Sequence, residues 1–115
     1  MTNKEIVKKF LEGFNDKTKI EASLACLADD YRFKDPMVEH HSKQEFLKTA
    51  QEIGSLLEGV HIHRLAEDGD WVGVFYEFII AGKSHRASEW FRLEDGMIKE
   101  STLMYDPTPI RALML

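Results

Sequence analysis

The spacing of hydrophobic residues changes once, about halfway along the chain. In the first half, apolar residues recur every three or four positions, which places their side chains on one face of a helix. This spacing predicts helices from about Asn3 to Phe14, from about Thr18 and from about Ser42. From about residue 60 onward the spacing falls to two, as in strands with one buried face. The sequence therefore predicts helices first and strands afterwards.

Each predicted helix opens on a hydroxyl residue followed three positions later by a glutamate. The three pairs are Thr2 with Glu5, Thr18 with Glu21, and Ser42 with Glu45. In such a capping box each side chain accepts a hydrogen bond from the other residue's backbone N–H, which has no partner within the helix. Each pair precedes an amphipathic run, so we expect all three helices to start in this way.

The predicted strands are separated by turn residues. A short strand near Tyr31 is stopped by Pro36, and longer strands cover residues 60–65, 71–80, 85–93 and 97–105. Asp95-Gly96 predicts a tight hairpin because both residues tolerate positive φ. The segment 106–109, Asp-Pro-Thr-Pro, is expected to end the last strand. Three helices followed by four antiparallel strands predict an α+β fold, with the helices on one face of a curved sheet. An open sandwich with a filled core is the alternative.

Composition narrows the class of protein. The chain has 115 residues, enough for one domain spanning 1–115, and a net charge of −5. The acidic balance argues against a nucleic-acid partner or an anionic membrane surface. One cysteine, Cys26, excludes an internal disulfide framework. The amino terminus is charged early, and no uncharged run reaches the length of a membrane span, so we expect a cytoplasmic protein.

Four segments together carry a family resemblance. These are FLEGFND in the first helix, LADDYRFKDP at the first strand, SEWFRLEDGMI across the tight hairpin, and YDP near the end. From about residue 4 to 107 the sequence resembles the nuclear transport factor 2-like superfamily, and within it the SnoaL-like and ketosteroid isomerase-like branch. The resemblance implies a cone-shaped curved antiparallel sheet, a cystatin-like roll, with three N-terminal helices packed on its concave face. It also implies an apolar pocket and a homodimer formed through the outer face of the sheet.

The resemblance also implies roles for particular residues. The family's general base corresponds to Asp35, and its acidic donor to the substrate oxygen corresponds to Glu89. Its tyrosine donor corresponds to Phe10, which has no hydroxyl, so another group would have to take that role. The candidates are Tyr31, Tyr76 and Tyr105.

Both acids also have structural interpretations. An aspartate before proline commonly ends a strand and accepts a bond from a turn N–H. Glu89 shares a predicted strand face with Ala87 and Phe91, so on that face it must be protonated, paired or hydrogen-bonded. Alternatively it forms an ion pair on a solvated edge. Arg64, Arg86 and Arg92 are the available partners.

We expect the pocket to be lined by apolar and aromatic side chains with few polar groups. The predicted lining is Phe10, Phe14, Phe33, Met37, Phe75, Ala87, Phe91, Met104 and Tyr105. His85 is either a proton shuttle or a solvent-exposed residue at a strand end. His61 and His63 share one strand side, but without a convincing third ligand we predict no metal site.

The sequence thus predicts a cofactor-independent enzyme of isomerase or cyclase type, transferring protons on a hydrophobic, carbonyl-bearing small molecule. One alternative is a non-catalytic module for ligand binding or dimerisation. Another is a hydratase or epoxide hydrolase, in which Asp35, an arginine such as Arg92 and a second acid would activate water. By strand alternation Arg92 faces away from Glu89, which disfavours that chemistry.

Trp90 also faces away from Glu89 and would expose its indole unless a second subunit covered it.

Overall fold

The computed structural model describes residues 1–114 and has four α-helices and six strands. The helices are α1 Asn3–Glu12, α2 Ile20–Leu24, α3 Lys43–Gly54 and α4 Thr108–Met114. The strands are β1 Leu27–Lys34, β2 Glu39–His40, β3 Leu57–Asp68, β4 Trp71–Ile80, β5 Lys83–Glu94 and β6 Met97–Tyr105. Short 3₁₀ turns at Gly13–Asn15 and Lys17–Lys19 join α1 to α2. The predicted α+β class is confirmed.

All six strands form one curved sheet in the order β2-β1-β6-β5-β4-β3. From β3 to β6 the neighbours are antiparallel, as predicted. The predicted all-antiparallel sheet is wrong at one place, because β1 runs parallel to β6. The chain passes from β1 through α3 and four further strands, β2 to β5, before β6 returns beside β1, so no tight turn dictates an antiparallel pairing there.

The predicted capping boxes are found at some of the helix starts. Thr2 and Glu5 form the reciprocal box of α1, with backbone-to-side-chain bonds of 3.1 and 3.2 Å. At α3, Ser42 accepts the bond from Glu45 N–H at 3.1 Å, but the Glu45 carboxylate accepts from His41 N–H instead of from Ser42. At α3 the Ser42 half of the capping box is therefore present, while the Glu45 carboxylate binds the backbone one residue earlier than predicted.

The predicted start of the second helix at Thr18 is wrong. The Asp16 carboxylate accepts from both the backbone N–H and the hydroxyl of Thr18, which forms a 3₁₀ turn there. The α-helical part then runs only from Ile20 to Leu24. An aspartate two residues before a threonine competes with the box because its side chain closes a shorter turn.

The three-helix prediction also omitted a helix at the C-terminal end. The Asp-Pro-Thr-Pro segment does end β6, but it starts α4 as well. Asp106 accepts a bond from Thr108 N–H at 3.0 Å. Proline is tolerated in a first helical turn, where its missing N–H would have no partner. The helix places Ile110, which is 2% exposed, against the inner face of the sheet.

Two tight hairpins set the register of the central strands. Ala81 and Gly82 have φ values of 54° and 73°, and Asp95 and Gly96 have 53° and 75°. Two consecutive residues with positive φ match the right-handed twist of the strands that they join. These turns fix which residues of β4, β5 and β6 face the helices.

The concave face of the sheet carries the core. Along β4, Val72, Val74, Tyr76, Phe78 and Ile80 are buried, and along β5 the buried residues include Ala87, Glu89, Phe91 and Leu93. Helix α1 adds Phe10, and α3 adds Phe46. Asn15 ties the end of α1 to β3, since its side-chain amide bonds both the N–H and the carbonyl of Val60. Within residues 1–114 no helix combines the length and hydrophobicity that a membrane span needs.

Candidate functional site

A cavity of about 160 Å³ lies between the concave face of the sheet and the helices. Its wall is almost entirely apolar and is built by α1, α3, α4, β1, β3 and the central strands. The aromatic lining residues are Phe10, Phe14, Phe33, Phe46, Tyr76, Phe78 and Tyr105. Two carboxylic acids, Asp35 and Glu89, also line it. The cavity thus combines an aromatic wall with two acids from distant parts of the chain.

Glu89 is the buried acid of this wall, with only 3% of its surface exposed. Its Oε1 accepts a 2.7 Å hydrogen bond from the Tyr76 hydroxyl. Burial raises the pKa of Glu89 to about 7; hydrogen bonds from Tyr76 and Ser101 oppose the increase, and the charge of Asp35 adds to it. Glu89 is therefore present in both protonation states near neutral pH.

A second phenol continues this polar network. The Tyr31 hydroxyl lies 2.5 Å from the Ser101 hydroxyl, and both residues are buried. Burial, and then the nearby Glu89 charge, raise the pKa of Tyr31 and of Tyr76 well above the ordinary value. Both phenols therefore stay protonated. Tyr76 can donate to Glu89 in either protonation state of the acid, which fixes the position of that carboxyl group.

Asp35 lies directly after β1 and is half-buried at the cavity wall. Its Oδ1 accepts from Met37 N–H at 2.7 Å and from Val38 N–H at 2.8 Å. These bonds hold the turn after Pro36, as the structural interpretation of an aspartate before proline expects. The other oxygen, Oδ2, lies 3.4 Å from the Tyr105 hydroxyl, a long contact. Oδ2 thus keeps lone pairs for a further partner.

Tyr105 links the Asp35 turn to the last strand. Besides its contact with Asp35, its hydroxyl lies 3.3 Å from the Met37 sulfur. Burial, followed by the charge of Asp35 and the hydrogen bond to it, raises the pKa of Tyr105 to about 12. Tyr105 is therefore a permanent donor beside the Asp35 carboxylate.

The predicted lining residues divide into three groups. Phe10, Phe14, Phe33, Met37 and Tyr105 lie on the cavity wall with Asp35 and Glu89. Ala87 and Phe91 are buried on the same face but pack into the surrounding core. The prediction is wrong for Phe75 and Met104, which are 44% and 60% exposed. Phe75 lies between the inward-facing Val74 and Tyr76, and Met104 between Leu103 and Tyr105, so strand alternation turns both outward.

The histidines lie outside the cavity wall. His85 is half-buried on the inner face and stacks on Phe78 with ring centroids 5.1 Å apart, so it is not a solvent-exposed residue. Its Nε2 is buried and has no hydrogen-bond partner among the described residues. On the outer face, His63 lies 3.5 Å from the Glu77 carboxylate beside His61. In residues 1–114 no three His, Cys, Asp or Glu side chains are arranged to hold a metal ion.

Neither cavity acid has a cationic partner in the part of the chain that the structure describes. The ion pairs found there include neither Asp35 nor Glu89. The alternative ion-pair interpretation of Glu89 is therefore wrong, because Arg92 is on the outer face and bonds Glu94 and Glu100 at 3.5 and 3.3 Å. Burial and hydrogen bonding, rather than charge pairing, set the properties of Glu89.

The sequence indicates three candidate tyrosines, Tyr31, Tyr76 and Tyr105, but does not distinguish their roles. Strand register is the signal that would have separated them. The Ala81-Gly82 turn pairs Tyr76 with Ala87 and Val74 with Glu89, so Tyr76 reaches Glu89 diagonally across the two strands. Ser101 and Ile110 were not predicted at all. Ser101 lies in a stretch without clear alternation, and Ile110 lies in the unpredicted α4.

Solved structures of several proteins resemble this fold closely. An NTF2-like protein of unknown function from Cytophaga hutchinsonii has a TM-score of 0.84 at 22% identity, covering 96% of each chain. An LEH-like epoxide hydrolase from M. tuberculosis has a TM-score of 0.74 at 20% identity, covering 96% of this chain and 91% of its own. A protein with a ketosteroid isomerase-like fold from Catenulispora acidiphila, in complex with trimethylamine, has a TM-score of 0.74 at 18% identity, with 91% and 88% covered.

These structural similarities show the fold, whereas the family is shown by a match of the sequence to a family model. Among curated proteins none matches this chain. The SnoaL-like domain, however, matches residues 7–101, which include both cavity acids and most of the lining. The chain therefore belongs to the SnoaL-like domain family, within the NTF2-like superfamily that its residues resemble.

Proposed function

We propose that this protein is a cofactor-independent enzyme of isomerase type that transfers a proton within a small, hydrophobic carbonyl compound. The observation that carries the proposal is the presence of two acids with different surroundings, Asp35 and Glu89, on the wall of one apolar cavity. Proton transfer at carbon needs a base at the carbon and a donor at the oxygen. Two carboxyl groups held in different environments can divide these roles.

Glu89 is suited to the oxygen of the substrate. With a pKa of about 7 it carries a proton in a large fraction of molecules at neutral pH. A neutral carboxylic acid in an apolar site can donate to a carbonyl oxygen as negative charge develops there. Tyr76 does not replace the family's tyrosine as a donor to the substrate. Its hydroxyl donates to Oε1 of Glu89 instead, so it positions the acid.

Asp35 is suited to the carbon. Its Oδ1 is held by two backbone N–H groups, which leaves Oδ2 to accept a proton from the substrate. In the proposed reaction the C–H electron pair moves toward the carbonyl oxygen, giving an enol or enolate that Glu89 stabilises. Asp35 then returns the proton to a different carbon, so the double bond shifts and no other reactant is consumed.

The cavity limits the size of the substrate. An apolar cavity of about 150 Å³ holds one benzene molecule. The 160 Å³ cavity here therefore fits a single ring of about six to eight heavy atoms. A β,γ-unsaturated cyclic ketone such as 3-cyclohexen-1-one is a suitable probe, because its conjugated product is followed by ultraviolet absorbance.

The test compares wild-type protein with Asp35→Asn. Asparagine keeps a carbonyl oxygen for the Met37 and Val38 N–H groups but has no basic carboxylate, so the turn is retained while the base is lost. General-base catalysis contributes about 10²–10⁴-fold, and we expect a loss of that size in isomerisation and in deuterium exchange of cyclohexanone. Asp29→Asn, the same change at an exposed residue of β1, is the matched control.

Full activity in Asp35→Asn would overturn the assignment of Asp35. If wild-type protein binds these ketones but neither isomerises them nor speeds exchange, the enzymatic proposal fails. The protein would then be the alternative ligand-binding module. The two backbone bonds to Asp35 favour that alternative, since they give the residue a structural role without any chemistry.

The water-activation alternative has less support. Among the described residues no arginine or lysine lines the cavity, and Arg92 is bound to Glu94 and Glu100 on the other face of the sheet. The epoxide hydrolase among the structural neighbours shares the fold at 20% identity. Asp35 and Glu89 alone supply no cation to hold an alkoxide leaving group.

We propose in addition that two subunits pair through the outer face of the sheet. Phe75, Trp90 and Met104 are exposed there on three consecutive strands, β4, β5 and β6. The indole ring of Trp90 packs directly against Gly73. A Cβ at that position would lie only 2.8 Å from the ring, so the contact requires glycine. Exposed apolar patches of this kind are typical of contact surfaces.

A further inference from the structure

The cavity has a net negative charge that nothing in the described residues balances. Asp35 and Glu89 line it, while no lysine, arginine or histidine does. The ion pairs of residues 1–114 involve neither acid. A buried carboxylate without a counter-charge is costly, and a cation that enters the cavity relieves that cost.

The rest of the wall is suited to the apolar part of such a cation. Seven aromatic rings line the cavity: Phe10, Phe14, Phe33, Phe46, Tyr76, Phe78 and Tyr105. The faces of aromatic rings attract ammonium groups, most strongly where water is excluded. A wall of this kind recognises alkylated ammonium ions better than strongly hydrated metal ions.

We propose that this cavity binds small lipophilic ammonium ions, with the Glu89 carboxylate as their counter-charge and the aromatic wall around their alkyl groups. The proposal goes beyond proton transfer and does not depend on it. The two ligand classes use different protonation states of one side chain. A neutral carbonyl compound takes a hydrogen bond from the acid, whereas a cation binds the carboxylate.

The groups that surround Glu89 permit this assignment. Tyr76 on β4, and Tyr31 on β1 acting through Ser101 on β6, supply hydroxyls and no charge. Asp35, beyond β1, adds a second negative charge, and Tyr105 on β6 contacts Asp35 as a neutral phenol. His85, on the same face of β5, packs on Phe78 outside the lining and is the one nearby histidine whose protonation would oppose a cation.

Choline and 3,3-dimethyl-1-butanol provide a matched pair of probes. The two molecules have the same shape and hydroxyl group, and only the first is charged, at every pH. Isothermal titration calorimetry at pH 8 should find choline bound at least tenfold more tightly than the alcohol. In Glu89→Gln, which keeps the shape of the side chain, choline affinity should fall about tenfold or more. Glu77→Gln on the outer face is the control and should leave choline binding unchanged.

The pH dependence of choline binding tests the assignment to Glu89. A group with a pKa of about 7 is roughly one-tenth ionised at pH 6 and nine-tenths at pH 8, so choline affinity in wild-type protein should rise about tenfold across that range. The rise should be absent in Glu89→Gln. If it persists there, another group is its cause and the assignment to Glu89 is overturned.

Two further results would overturn the proposal. Equal affinity for choline and for the alcohol would show that the cavity selects shape and apolar surface alone. Binding of the alcohol without any binding of choline would show that the acids do not serve as counter-charges. Neither result depends on turnover, so both are separate from a failure of the isomerase assignment.

Discussion

Glu77 and Glu89 lie on adjoining strands and on opposite faces of the same sheet. Glu77 faces outward, where the Ser84 hydroxyl donates to it and His63 lies 3.5 Å away. Its pKa is lowered, first by the hydrogen bond from Ser84, while burial opposes this effect and the charge of His63 adds to it. Glu89 faces inward, and burial raises its pKa to about 7 despite the bonds from Tyr76 and Ser101. One side-chain type thus acquires opposite properties on the two faces.

The difference shows what separates a surface acid from a cavity acid in this fold. Both glutamates accept a hydroxyl hydrogen bond, so hydrogen bonding alone does not distinguish them. The outer acid has a histidine 3.5 Å away and is open to solvent, while the inner acid is buried and has no ion-pair partner among the described residues. Loss of hydration without a counter-charge is the cause of the raised pKa, and it is also what makes Glu89 available as a proton donor.

The largest expected effect concerns the packing of the two sheet faces. Phe91 is fully buried on the inner face of β5, and Phe75 is 44% exposed on the outer face of β4. Phe91→Ala should lower the free energy of unfolding by about 3–5 kcal/mol, because it removes a ring from a closed core and leaves a cavity. Phe75→Ala makes the same chemical change where water reaches the ring of the separated subunit, and at protein concentrations where the subunit is monomeric it should cost about 1 kcal/mol or less.

Denaturant unfolding of the two variants checks this prediction. Similar losses for Phe91→Ala and Phe75→Ala would mean that the two faces do not differ in the way described. The Phe10 ring, 5.8 Å from that of Phe91 in an edge-to-face contact, provides a second probe of the same core. Its own truncation should resemble Phe91→Ala.

Strand alternation explains which parts of these two faces could be predicted from sequence. The alternation along β5 correctly placed Ala87, Glu89 and Phe91 together and turned Trp90 and Arg92 outward. The same rule, applied to β4 and β6, would have turned Phe75 and Met104 outward. Their assignment to the pocket rested on residue type rather than position, because aromatic and sulfur-containing side chains are common in both cores and pockets.

Contacts between distant segments were harder to predict. The pairing of Tyr76 with Glu89 depends on the register set by a two-residue turn, and a change of one residue would have turned Tyr76 to the other face. The parallel contact of β1 with β6 joins segments about 70 residues apart, and no local pattern indicates it. Helix α4 begins at a proline-containing segment that also ends β6. Such a segment is compatible with a loop as well as with the start of a helix, so the sequence does not decide between them.

The second prediction concerns the dependence of stability on pH. The pKa of Glu89 rises on folding from its ordinary 4.5 to about 7, so the folded state holds this proton more tightly than the unfolded state. Its contribution is most favourable below pH 4.5 and is lost as the pH rises through about 7. Glu89→Gln lacks this loss, and its stability relative to wild type should increase by up to about 3 kcal/mol between pH 4 and pH 8.

Glu77→Gln should show the opposite sign. Because the pKa of Glu77 is lower in the folded state, its carboxylate stabilises the folded state at pH values above the pKa of the unfolded state. This stabilisation is lost as the pH falls through the pKa of the folded state. The variant should therefore be weakest relative to wild type near neutral pH and approach it under acidic conditions. Parallel pH profiles of the two variants, measured by urea unfolding, would remove the distinction between the two glutamates.

The third prediction has the smallest effect on the subunit itself and concerns the outer face alone. If two subunits pair there, Trp90→Glu places a charge in the contact and should convert a dimer to a monomer in light scattering at micromolar concentration. Because the 44% exposed indole rests on Gly73 rather than in the core, the unfolding free energy of the separated subunit should change by about 1 kcal/mol or less. Leu56→Glu, at a similarly exposed leucine before β3, is the control and should remain dimeric. A monomeric wild-type protein would contradict the pairing, and would show that this face tolerates Phe75, Trp90 and Met104 in water, whereas the inner face admits Glu89 only with hydroxyl donors beside it.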